Sequence, residues 1–372
     1  MKILKNKSIF EIILIITFFG LAIVGLVFSV VFVAMRLHLT DVKGSIDARN
    51  EYFKEIQDTT AKISTIDKTE NELNIRRVNA EVECKIITVL SDFPINGQKI
   101  LDTYIKTKDQ TLVLKMVDAL VSVTAYDNSL KDKIDRCTFM AKNNLSKNDS
   151  LSNQDIFNWI SSSEWITLRD ALIKDKDNIL EASRVSGVPA RTIVATVISE
   201  QFRFFTANRE SYKKFFEPLK ILGNGTKFSY GVAGVKFETA RMIENNLKDK
   251  NSPYYLGYAY ENVLDYTDQN TDAVLMDRLT NKDNHYYSYL YTGLFLKQIM
   301  NQWKNASYPI GDRPEVLSTL FNLGFNKSTP KENPDIGGST ITINGRDYTF
   351  GGLSYEFYYS GELSEIFPFA VQ

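Results

Sequence analysis

Hydrophobic and polar positions alternate along this chain in distinct regimes. From Ile12 to Met35 no residue carries a charge, and Ile, Leu, Val and Phe dominate. As a helix such a run is roughly 36 Å long, enough to cross a bilayer core of about 30 Å. It is longer than the apolar region of a cleaved leader, and Val33-Ala34-Met35-Arg36 offers no convincing cleavage site. The pattern predicts a retained transmembrane helix over 12–35 behind a short tail, 1–11.

Beyond it the spacing is helical. Ile46, Phe53, Ile56, Ile63, Ile66 and Leu73 recur in steps near seven and three, with charged residues between them. The turn signal Ser91-Asp92-Phe93-Pro94-Ile95-Asn96-Gly97 ends this long helix. A second apolar run follows (Leu112, Leu114, Met116, Val117, Leu120, Val121), and Asp127-Asn128-Ser129 divides it from a third helix. The polar stretch 142–153 reads as a linker, so 36–150 is expected to be a helical stalk or bundle. A helical domain is expected over 151–329. In the last stretch, 330–372, the β-rich residues around Asn344-Gly345 form a strong hairpin signal. This stretch is expected to be a small β-hairpin extension wrapping the helical domain. The predicted fold class is mainly α.

Charge adds orientation. Lys2, Lys5 and Lys7 face one Glu11 before the apolar run, whereas acids and bases balance just after it. The positive end stays inside, so the body is expected outside the cytoplasmic membrane. The whole chain is nearly neutral, 44 Lys+Arg against 45 Asp+Glu, which argues against a dedicated nucleic-acid binder. Two His and two Cys, far apart, leave no zinc finger and little His-based catalysis. Neither a metal nor another cofactor is expected. Outside the cytoplasm Cys84 and Cys137 are free to form a disulfide; the alternative is two buried thiols.

Chemistry must then run on carboxylates, hydroxyls and amides. In the helix that follows Gly187-Val188-Pro189, Ile193, Val197, Glu200 and Phe204 are spaced four, three and four apart. This puts a carboxylate on an apolar stripe. Buried without a partner, it would be kept protonated near neutral pH, which is what a glycosidic leaving group requires of an acid. The plainer alternative is a Glu at a helix end that reaches water. Glu356, Glu362 and Glu238 are weaker candidates for the same role.

Two later segments bear on this choice. Ser229-Tyr-Gly-Val-Ala-Gly-Val-Lys-Phe-Glu-Thr-Ala240 carries a Gly-rich turn closing on Thr-Ala, and Leu320-Phe-Asn-Leu-Gly-Phe325 follows. Together with Glu200 and in this order, over roughly 165–326, they resemble the lytic transglycosylases of the goose-lysozyme-like superfamily. The resemblance implies a lysozyme-like α-helical domain and cleavage of the MurNAc–GlcNAc bond of peptidoglycan, with 1,6-anhydromuramoyl ends and no cofactor. It assigns Glu200 as general acid and base. It assigns Gln201, Ser229, Gly231, Gly234, Phe321, Asn322 and Gly324 to the substrate cleft, and Thr239 and Ala240 to the start of the next helix. The implied partners are glycan strands and the membrane. The sequence departs from the family at Gln201, usually Ser; at 234–236, usually holding a Gln; and at Phe321, usually Tyr. These departures leave open an inactive glycan-binding or scaffold component of an envelope assembly. Tyr254, Tyr255, Tyr258, Tyr260, Tyr286, Tyr287, Tyr289 and Tyr291 serve helix packing or glycan stacking.

Overall fold

The computed structural model describes residues 17–19, 21–22, 25–26, 29, 44–54, 72–123, 129–143, 156–206, 229–267, 271–281 and 283–370. The chain divides into two units, Met1–Lys43 and Gly44–Gln372.

In the first unit the described residues are helical, and Phe18, Phe19, Leu21 and Leu26 are exposed. Among the described residues no helix is long and apolar enough to cross a membrane. Most of the expected span 12–35 lies outside them.

The second unit is mainly helical, with three small two-stranded sheets among the described residues. Its elements are β1 (Ser45–Ile46), α1 (Glu72–Asp92), α2 (Pro94–Thr107), α3 (Gln110–Val123), α4 (Ser129–Asn143), α5 (Ser163–Lys174), α6 (Lys176–Ser186) and α7 (Ala190–Thr206). There follow β2 (Ser229–Tyr230), β3 (Val235–Lys236), α8 (Phe237–Lys248), α9 (Thr271–Thr280), α10 (Tyr286–Asn305) and α11 (Pro314–Leu323). The chain ends with β4 (Gly337–Gly338), β5 (Thr340–Ile343), β6 (Arg346–Thr349) and α12 (Phe350–Ser360).

Several expected boundaries hold locally. Phe93 separates α1 from α2, with Pro94 at the first helical position, where a missing N–H costs nothing. Gly187, at φ 68°, caps α6 and lets α7 start three residues later. Ile343 pairs with Arg346 across Asn344 and Gly345, both at positive φ, as a two-residue hairpin turn requires. Cys84 and Cys137 are joined by a disulfide that ties α1 to α4.

Residues 44–372, across the expected stalk, domain and extension, form one unit. Ser45 and Ile46, expected to open a long helix, instead form a strand paired with Gly338 and Gly337. A Cβ at Gly337 would overlap the Ser45 carbonyl, so the pairing depends on that glycine. Ile46 itself is exposed, although the periodicity put it on the apolar stripe. In the C-terminal stretch every residue of α12 is buried, and the helix packs against α3, α7 and α11.

Two arginines, Arg49 half-buried and Arg191 fully buried, bind this arrangement together. Arg49 donates to Glu356 of α12 at 2.6 Å and also pairs with Asp47. Trp159 Nε1 donates to the other oxygen of Glu356 at 3.2 Å. Arg191, at the start of α7, forms no ion pair among the described residues. It donates to the carbonyls of Tyr358 (2.7 Å), Glu362 (2.8 Å), Phe357 (3.1 Å) and Phe367 (3.1 Å), and lies 4.2 Å from the Phe369 ring. Carbonyls at the end of a helix carry partial negative charge, which is why a cation is tolerated there. Burial still lowers its pKa, to about 10. The result is α7 locked against the C-terminal end of α12. Between them runs a hydroxyl chain from Thr196 through Ser318 of α11 to Ser354, at 2.8 and 2.7 Å.

Candidate active site

Helix α7 is buried on all sides from Arg191 to Glu200, so the carboxylate that ends this buried stretch is delivered into the protein rather than to solvent. Glu200 is 2% exposed. It is not the unpaired acid expected from the stripe. Both of its oxygens are engaged by Arg203, one turn on: Nε donates to Oε2 at 2.9 Å and Nη2 to Oε1. This is a bidentate, charge-assisted pair. Burial lowers the pKa of Arg203, but the Glu200 carboxylate outweighs it and the net shift is upward. The guanidinium also sits 4.9 Å from the Phe204 ring. The i,i+3 spacing of Glu200 and Arg203 was visible in the sequence, and a helical pair at that spacing is an ordinary expectation.

The Gly-rich turn folds directly onto this carboxylate. Ser229–Tyr230 and Val235–Lys236 pair as β2 and β3, and Gly231 and Gly234 take positive φ in the turn between them. A Cβ on Gly234 would overlap the Glu200 carboxylate and come within 2.6 Å of its Cδ. A Cβ on Gly231 would come within 2.6 Å of Ser288 Oγ and would overlap the Leu279 carbonyl. Gln201 Nε2 donates to the Val232 carbonyl, so the residue that departs from the family pattern tethers α7 to the turn. Ser229 lies on β2 opposite Lys236, and its side chain is outside the described set. Helix α8 starts directly after β3, with Thr239 and Ala240 in its first turn and Ala240 fully buried.

The segment Leu320–Phe325 is engaged with other elements. Phe321 packs on Phe295 (5.1 Å between centroids) and Phe350 (6.4 Å). Asn322 accepts from Ser339 N at 2.9 Å and Ser339 Oγ at 3.1 Å, which ties α11 to the strand before the hairpin. Gly324 ends α11 at φ 89°, with open space where a Cβ would stand. Of the other candidate carboxylates, two are engaged by cations. Glu356 is held by Arg49 and Trp159, Glu362 pairs with Lys99, and Glu238 is exposed.

A second polar centre was not anticipated. Glu244 of α8 accepts from Tyr291 Oη at 2.5 Å, from Tyr266 Oη, and from Arg241 at 2.7 Å. Burial, then the Glu244 carboxylate, pushes the Tyr266 hydroxyl up to about 12 and Tyr291 further. Glu244, Arg241 and Tyr266 line a cavity of about 210 Å³ that Glu200 does not reach. Most of the tyrosines singled out in the sequence serve such internal bonds. Tyr289, for example, donates to Asp175 at 2.8 Å, while Tyr258 stands exposed. Among the described residues no group of His, Cys, Asp and Glu side chains is arranged to hold a metal ion.

No family model matches the chain, and no characterised protein or solved structure matches it.

Proposed function

We propose that the protein is a membrane-anchored lytic transglycosylase that cleaves the MurNAc–GlcNAc bond of peptidoglycan, with Glu200 as general acid and base. The observation that carries this is the contact between Glu200 and Gly234. Two motifs, more than thirty residues apart, had been paired only by the resemblance, and they meet at one carboxylate. Gly234, with no side chain, sets the backbone of the turn directly against the acid. In the proposed reaction Glu200 protonates the glycosidic oxygen and the substrate's N-acetyl carbonyl stabilises C1. Glu200 then takes the proton of the muramoyl 6-hydroxyl, which attacks C1. This is a one-carboxylate, substrate-assisted scheme.

The anchor is the uncharged run 12–35, with the lysine-rich tail inside and the body outside. A disulfide in the body is consistent with an oxidising compartment.

A second reading has its own support. Both Glu200 oxygens are occupied by Arg203, and Phe321 and Asn322 are used in packing. These favour a glycan-binding or scaffold component without activity. Incubating the full chain in detergent with peptidoglycan and weighing the products separates the two. Products with 1,6-anhydro ends, reduced at least 100-fold by Glu200→Gln, are expected. Hydrated reducing ends would indicate a muramidase, and no release by the wild type would leave the scaffold.

A further inference from the structure

We infer that Arg203 is a positioning residue for Glu200, a latch that the incoming glycan must open before the acid can be used. The inference rests on the glycan-cleaving reading above.

A general acid has to present an oxygen to the glycosidic bond within hydrogen-bond reach. In this structure both Glu200 oxygens accept from the Arg203 fork, and the side chain is 3% exposed, so the arginine stands on the carboxylate that a glycan would have to meet. From the other side Gly234 covers the carboxylate with backbone alone. The two partners are unequally placed. The Arg203 side chain keeps 12% of its surface exposed and that of Glu200 3%, so the arginine is the outer member of the pair. It is also the member that can leave. The pair is local, within one turn of α7 and three residues from its end, so rotation about Arg203 side-chain bonds opens it without moving the backbone. Its position beside Phe204 offers the guanidinium an aromatic neighbour at 4.9 Å. Gln201 meanwhile holds the Gly-rich turn to α7 independently of Arg203, so opening the latch leaves the cradle in place.

A latch of this kind consumes binding energy: part of the glycan's affinity is used to separate a buried ion pair. Removing either partner therefore strengthens binding, whereas loss of a purely structural bridge weakens it or does nothing. Close charge pairs in buried settings are coupled strongly enough for a gain of about tenfold.

The test is titration of the full chain in detergent with a (GlcNAc–MurNAc)2 tetrasaccharide. Arg203→Gln and Glu200→Gln should each bind about tenfold more tightly than the wild type, and the double variant no more tightly than the better single. Arg203→Lys, which keeps a cation, should stay near the wild type. Melting curves confirm that each variant is folded. If folded Arg203→Gln binds with wild-type or weaker affinity, the latch is overturned and the glycan reading stands. If neither wild type nor variants bind the tetrasaccharide, the glycan reading fails and the latch with it.

Discussion

Gly234 shows how much a single residue can specify. Its positive φ and the missing Cβ are both required, because the space a side chain would use is filled by Glu200. Glu200 and this turn were legible in the sequence, one from the apolar spacing and the other from its glycines. Arg203 was in plain view but carried no weight. A stripe argument follows apolar positions, and position 203 falls outside the 193, 197, 200, 204 series. Asp118 of α3 shows a different effect. It is half-buried, and burial, opposed by the Lys85 charge, pushes its carboxyl up to about 6 from 3.8. The folded state therefore binds a proton that the unfolded chain has already released. The associated stability is fully present below about pH 4 and is lost as pH rises through 6. About two pH units would correspond to about 3 kcal/mol. With partial solvent access, about 1–2 kcal/mol is expected. Asp118→Asn should raise stability by that amount at pH 7.5 and leave it unchanged at pH 4, as read from denaturant midpoints at the two pH values.

At the level of elements, local signals succeeded where local chemistry decides. The Asn344-Gly345 hairpin, the Pro94 start of α2 and the α3 apolar run are set by residues close in sequence. Helix α12 was missed because its sequence, Phe-Gly-Gly-Leu-Ser-Tyr-Glu-Phe-Tyr-Tyr-Ser, is poor in helix formers and rich in β-prone residues. It is helical because burial on all sides decides. Gly351 lets α11 approach closely, since a Cβ there would come within 2.6 Å of the Glu315 carbonyl. β1 was misread for the converse reason: its partner glycines lie nearly 300 residues away, beyond any periodicity argument. The disulfide lies between these cases, since the sequence supplied two cysteines and only the packing of α1 on α4 pairs them. It closes a sequence separation of 53 residues. On the chain-entropy account that is worth about 4 kcal/mol. Cys84→Ser/Cys137→Ser should lose that much in denaturant unfolding, and added reductant should lower the wild type to the same level and leave the variant unmoved.

For the molecule as a whole, the closure between the start and end of the second unit is what the domain boundaries drawn from sequence left out. Arg49 and Asp47 lie in the segment expected to be stalk, and Glu356 in the segment expected to be an extension. They share one buried cluster with Trp159 and Thr349. Burial works against the Arg49 charge, and Glu356 followed by Asp47 reverses this, holding the guanidinium above its ordinary value. Such a cluster is costly to half-remove. Arg49→Met leaves the fully buried Glu356 with the Trp159 indole and the more distant Arg346 at 4.0 Å, and a buried carboxylate that has lost its main cation costs up to about 3–5 kcal/mol. Glu356→Gln keeps an acceptor for Trp159 and leaves Arg49 with Asp47, so its cost should be smaller. If this closure holds the two ends together as one pair, the double variant should be less destabilised than Arg49→Met alone, because no unpaired charge remains on α12. A cycle of denaturant unfolding on the full chain measures this. Additive losses would mean that the N-terminal segment is held by its other contacts, chiefly Phe53 against Tyr355 at 4.7 Å and the Ser45–Gly338 pairing, rather than by charge.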